Sequence, residues 1–130
     1  MSNLPVVIFL TMSLLLTSCE VFERATPVPG ERVAFVGIWK SASGFTIEIL
    51  ASGSANLSHK LSQSHPDFDK LCIKVGPPVI TGILVKFKGN DILEVIRPLV
   101  YAKEYSIDRV PYQEDDGLKM VLNGVTLMKQ

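Results

Sequence analysis

The chain is poor in cysteine: among 130 residues there are two, Cys19 and Cys72. Two thiols allow one intramolecular disulfide at most, which excludes the multiply stapled scaffolds of small secreted domains. It also lacks an excess of either charge, with 13 basic and 13 acidic side chains and a formal net charge of +0. No global field therefore draws in nucleic acid or anionic lipid. The lysines are dispersed; Lys86 and Lys88 stand two apart, which places them on one face of a strand. No basic footprint for nucleic acid results. Long apolar runs are missing too. The most extended, Leu4 to Leu16, covers ~20 Å as a helix, short of the ~30 Å hydrocarbon core. No helix longer than a turn is evident after residue 30. Catalytic frames are also absent: Ser52-Gly53-Ser54 lacks the Gly-x-Ser-x-Gly pattern, and no glycine loop cradles a phosphate.

What is present begins with Leu16-Thr17-Ser18-Cys19, at the end of the apolar run. An aliphatic residue and two small ones precede a thiol, and small residues give a peptidase room at the backbone. The stretch resembles the lipobox of bacterial lipoproteins. That resemblance implies a signal peptide over 1–18, cleaved by signal peptidase II, and lipidation at Cys19, which attaches the mature chain to a membrane. Met1-Ser2-Asn3 departs from the pattern, since it contains no Lys or Arg. Glu20 stands where inner-membrane retention uses Asp, so in a Gram-negative host the resemblance points to the outer membrane, facing the periplasm. With Cys19 acylated, Cys72 is alone and no internal disulfide forms. Stability must then come from the core.

Removing 1–18 leaves enough chain for one domain. Residues 19–32 contain Pro27, Pro29 and Gly30 without a sustained period and read as a flexible tether. The domain is expected over 33–130. From there a period of two dominates. Phe45, Ile47 and Ile49 alternate with Thr46 and Glu48. Ala51 to Ser54 forms a turn into a strand over Ala55 to Leu61, and Gln63 to Asp69 is a loop. Leu71 to Val75 reads as a short strand, with Cys72 on the face opposite Leu71, Ile73 and Val75. Val79 to Phe87 and Ile92 to Ile96 flank the turn Gly89-Asn90-Asp91. Tyr101 to Ile107 forms another strand. Met120-Val121-Leu122-Asn123-Gly124-Val125-Thr126-Leu127 is a type I′ hairpin, because Asn and Gly accept positive φ. Met120, Leu122, Val125 and Leu127 share one face. The sum is an all-β fold, a small antiparallel barrel or sandwich of about seven or eight strands. Gly37-Ile38-Trp39 followed by a glycine-turned hairpin resembles small lipocalin-like bacterial domains. Trp39 is expected to anchor the core.

Candidate reactive groups are few. His59 and His65, with Asp67 and Asp69, lack zinc-ligand spacing and read as solvated loop residues. Glu114-Asp115-Asp116-Gly117 places carboxylates consecutively, unlike the alternating ligands of a calcium loop. Asp108-Arg109 reads as an exposed pair. Cys72 has no visible activating base. No catalytic residue, metal or cofactor is assigned. The expected role is a non-enzymatic, lipid-anchored envelope protein that binds another envelope protein, as an inhibitor, immunity, exclusion or accessory subunit. Small β-barrel lipoproteins that inhibit lysozyme share this format, although their paired cysteines are missing here. The alternative is a lipocalin-like carrier of an apolar small ligand.

Overall fold

A computed structural model describes residues 24–74 and 76–130. Eight antiparallel strands, each hydrogen-bonded to its neighbour in sequence, close into a barrel. They are β1 (Gly37–Ser41), β2 (Phe45–Ile49), β3 (Ser54–His59), β4 (Val79–Lys88), β5 (Ile92–Arg97), β6 (Tyr101–Glu114), β7 (Gly117–Leu122) and β8 (Val125–Lys129). Closure is through β1 and β8, where Trp39 faces Lys129 and Ser41 faces Leu127. Closure gives each strand two neighbours, although β6 runs past β5, with which it pairs only from Tyr101 to Ser106.

Alternation decides what lies inside. Phe45, Ile47 and Ile49 on β2 are buried, while Thr46 and Glu48 between them are half-buried. On β6, Tyr105 and Ile107 are buried and Ala102, Glu104 and Ser106 are exposed. Trp39, as expected, has no exposed surface, and its indole N–H donates to the Phe35 carbonyl at 2.8 Å. The final hairpin pairs Met120 with Leu127, Val121 with Thr126, and Leu122 with Val125. Asn123 and Gly124 take φ of 48° and 76°, as a type I′ turn requires.

The two ends differ. At one, a 3₁₀ helix (Gly30–Phe35) lies under the barrel. Arg32 is buried there, donating to the Gly89 carbonyl and to Asn90 Oδ1 while its guanidinium covers the Phe35 and Phe87 rings. Of the segment read as a tether, residues 24–32 are described. From Thr26 onward they rest on the barrel. Val28 N–H donates to the Ala51 carbonyl, and the Thr26 carbonyl lies so close to Gly53 that no Cβ fits at that position. The folded unit therefore starts upstream of Val33.

The opposite end is closed by the long connection between β3 and β4. Here the expected strand over Leu71 to Val75 is corrected. Phe68–Leu71 is a single α-helical turn, followed by irregular chain, and Leu71, Cys72 and Ile73 are all buried. Three consecutive apolar side chains can be buried together because this segment caps the barrel instead of joining its wall. Val75 lies outside the described residues. The second difference is the length of β6, which runs on to Glu114. Pro111 is tolerated because the pairing with β7 shifts register between Arg109 and Tyr112, and such shifts accommodate a residue that has no N–H to give.

Candidate functional site

The cap end brings together most of the side chains singled out in the sequence. Phe68 and Leu71 seal the barrel, and Tyr105 Oη donates to the Leu71 carbonyl from below. Burial raises the Tyr105 pKa above its usual range, so this hydroxyl stays a donor. From the side, Lys103 Nζ donates to the Asp69 carbonyl at 2.9 Å, and Asn123 Nδ2 to the Lys70 carbonyl at 2.7 Å. A chain segment with one turn of helix is thereby held at three of its carbonyls by side chains from β6 and the β7–β8 turn.

Beside this cap lies an open cleft of about 480 Å³, bordered by His59, Lys60, Gln63, Phe68, Lys74 and Pro78 among others. The His59 ring meets Phe68 edge-on at 5.5 Å, and its Nδ1 is buried without a hydrogen-bond partner among the described residues. His65 faces its own turn, its Nδ1 accepting from the Asp67 N–H at 3.0 Å. Asp69 lies 3.4 Å from Lys74, with both side chains about 70 % exposed. No group of three His, Cys, Asp or Glu able to hold a metal occurs among the described residues. His59 ends β3, and His65, Asp67 and Asp69 lie on the connection that follows; His59 faces Phe68, His65 its own turn and Asp69 Lys74.

Cys72 is buried, and burial raises its pKa. Lys103, also partly buried nearby, is shifted down by desolvation. A raised thiol pKa opposes nucleophilic chemistry, because the thiolate is the reactive form. The acidic run Glu114-Asp115-Asp116 sits on the turn between β6 and β7, at the other end of the barrel. Lys119 Nζ reaches both Glu114 and Asp116 at 3.0 Å. Asp108 accepts from Ser106 Oγ and the Gly124 N–H, while Arg109 lies flat against the Tyr112 ring. These groups satisfy local turns and strand faces. Cys19 lies outside the described residues.

One feature of this end was not legible as a site. The β5–β6 turn, Pro98-Leu99-Val100, projects two aliphatic side chains, with Leu99 87 % and Val100 62 % exposed. Leu99 also has φ of 64°, a left-handed conformation unusual for a bulky residue. Arg97 and Tyr101 flank it, and a shallow depression of about 400 Å³ runs along the turn. The signal available in the sequence was an apolar pair directly after Pro98, where turns ordinarily carry polar residues.

The barrel interior is occupied by side chains. Trp39, Phe45, Ile47, Ile83, Leu93, Tyr105, Met120 and Leu127 are each at most 1 % exposed and belong to one cluster. Comparison with protein-family models, curated proteins and solved structures found no match to this chain.

Proposed function

We propose that this chain is a lipoprotein of the bacterial envelope, attached through lipid on Cys19, that binds another envelope protein without catalysing a reaction. Its expected place is the outer membrane, with the barrel facing the periplasm. The observation that carries the reading is the contrast between inside and outside. The lumen is packed with aromatic and aliphatic side chains, whereas Leu99 and Val100 project from the surface. Small eight-stranded barrels fill with side chains or hold one small ligand, and the packed lumen favours the first state over a carrier. Apolar side chains displayed on a turn are what a protein partner can bury. The buried Cys72 with its raised pKa and the scattered histidines and aspartates also favour binding over catalysis.

The test pairs two measurements on the purified mature chain. Titration with a fluorescent fatty acid should give no saturable signal, and affinity capture from envelope extract should retain one partner protein stoichiometrically. Saturable fatty-acid binding with no retained protein would replace this reading with a carrier.

A further inference from the structure

We infer that the cap end of the barrel is the docking face, and that it receives a protein surface with an apolar recess rimmed by carboxylates. The inference rests on the protein-binding role proposed above and adds where the partner sits and what its chemistry is. Three observations converge on this end.

The first is the Pro98-Leu99-Val100 turn. Leu99 is the most exposed of the large apolar side chains among the described residues, and its backbone is left-handed. Neither feature helps the isolated barrel: the side chain buries almost nothing, and such backbones cost free energy that surrounding structure must hold in place. A knob of this kind gains burial only when a recess closes over it.

The second is charge. The exposed cations Arg97, Lys60, Lys70 and Lys74 belong to the β5–β6 turn and the cap, and Lys103 reaches the cap at the Asp69 carbonyl. Among the described residues the carboxylates here are Asp67, Asp69 and Asp108, with Glu104 on β6 held by Lys88. Asp69 is shared with Lys74, and Asp108 is bound to Ser106 and Gly124. The acidic turn Glu114–Asp116 is at the opposite end. The chain as a whole is neutral, so the excess of cations at this end, with Arg97 beside the knob itself, is a local property. Complementary charge around an apolar contact steers encounter and fixes orientation.

The third is access. The N-terminal segment meets the barrel at the other end, through Val28 on Ala51 and Arg32 on Gly89. The seven residue-to-residue steps from Cys19 to Thr26 span at most ~25 Å at full extension. A lipid on Cys19 would therefore hold the 3₁₀-helix end within ~25 Å of the membrane, and the attachment does not enter at the cap end. At this cap end, His59 Nδ1 and Tyr101 Oη are both buried and lack partners among the described residues.

The test is site-specific photocrosslinking of the full-length lipoprotein in its own envelope, with p-benzoylphenylalanine at Leu99 and, separately, at Asp115. Position 99 should give one protein adduct whose crosslinked peptide carries apolar residues flanked by Asp or Glu; position 115 should give none. Adding Arg97→Glu with Lys60→Glu, both on exposed side chains, should lower the adduct about tenfold, and a thermal midpoint on each variant confirms folding. A lipid adduct, an adduct to a second copy, or a protein adduct insensitive to the charge reversals would overturn the inference. An adduct from position 115 but not 99 would also overturn it, while sparing the protein-binding role. Absence of protein adducts from both positions, and from a scan around β2 and β7, would overturn both.

Discussion

The indole nitrogen of Trp39 donates to the carbonyl oxygen of Phe35 at 2.8 Å, tying the first strand to the 3₁₀ helix that underlies the barrel. Phe35 in turn meets Phe87 edge-to-face at 5.1 Å, so the contact extends across the barrel floor to β4. Replacing Trp39 with Phe keeps a ring but removes the donor and leaves a buried carbonyl without its partner. The expected loss is about 2–4 kcal/mol in unfolding free energy, from lost volume and one unsatisfied acceptor. A urea midpoint within error of wild type would show that the helix is not fixed to the barrel by this bond.

The last hairpin offers a test of facing. Leu122 and Leu127 have no exposed surface, whereas Val121 is half-buried and Thr126 exposed. Leu122→Ala and Leu127→Ala should each cost ~2–5 kcal/mol. Val121→Ala and Thr126→Ala should cost clearly less. Denaturant midpoints in the reverse order would place the apolar face outside.

Asn123 does more than tolerate a positive φ. Its side chain accepts from the Ser106 N–H at 2.7 Å and from Ser106 Oγ at 3.0 Å, and donates to the Lys70 carbonyl. Asn123→Gly preserves the turn conformation and removes those bonds. We expect a loss of about 1–2 kcal/mol, together with faster amide exchange at Ser106. No change in either would mean that the bonds only accompany the turn.

Cys72 should make stability fall with alkalinity. Burial raises its folded pKa above the ordinary 9.0, so the folded state holds the thiol proton more tightly than the unfolded chain. The corresponding stabilisation is complete below the unfolded pKa and disappears as pH rises through the folded one. Wild type should therefore lose more stability than Cys72→Ala between about pH 8 and pH 10.5, as read from thermal midpoints. Parallel pH profiles would contradict the assignment. Lys103, shifted down, acts in the opposite sense in both proteins, which is why the comparison uses the difference between them.

Cys19→Ser should abolish fatty-acid labelling and block processing by signal peptidase II, leaving the apolar leader attached. The measurement is metabolic labelling with a palmitate analogue, together with gel mobility. Labelling that persists in the variant would remove the basis for membrane attachment at this residue.

Much of the wall of the barrel could be read from local pattern. Phe45, Ile47 and Ile49 alternate with polar neighbours, and one buried face forces that period on a strand. Asn123-Gly124 specified its own turn type, and with it the register of β7 and β8. The cap was illegible for the same reason. Leu71-Cys72-Ile73 carries an apolar run that fits a buried strand, a helix turn or a plug equally well, since short runs have no decisive period. The continuation of β6 beyond Ile107, through Pro111, was not legible because a register shift is a property of two strands together.

From local pattern alone came an all-β chain, the facing of most of its strands and the final hairpin. Those features depend on neighbours within a few residues, where alternation and backbone preference act. Only the tertiary structure decided that the sheet closes through Trp39 and Lys129, and that Thr26 to Arg32 rest on the barrel floor. It also decided that Leu99 and Lys74, far apart along the chain, lie at one end. Closure and end-capping depend on strand tilt and on side chains meeting across long sequence separations, and no local period records where those meetings fall.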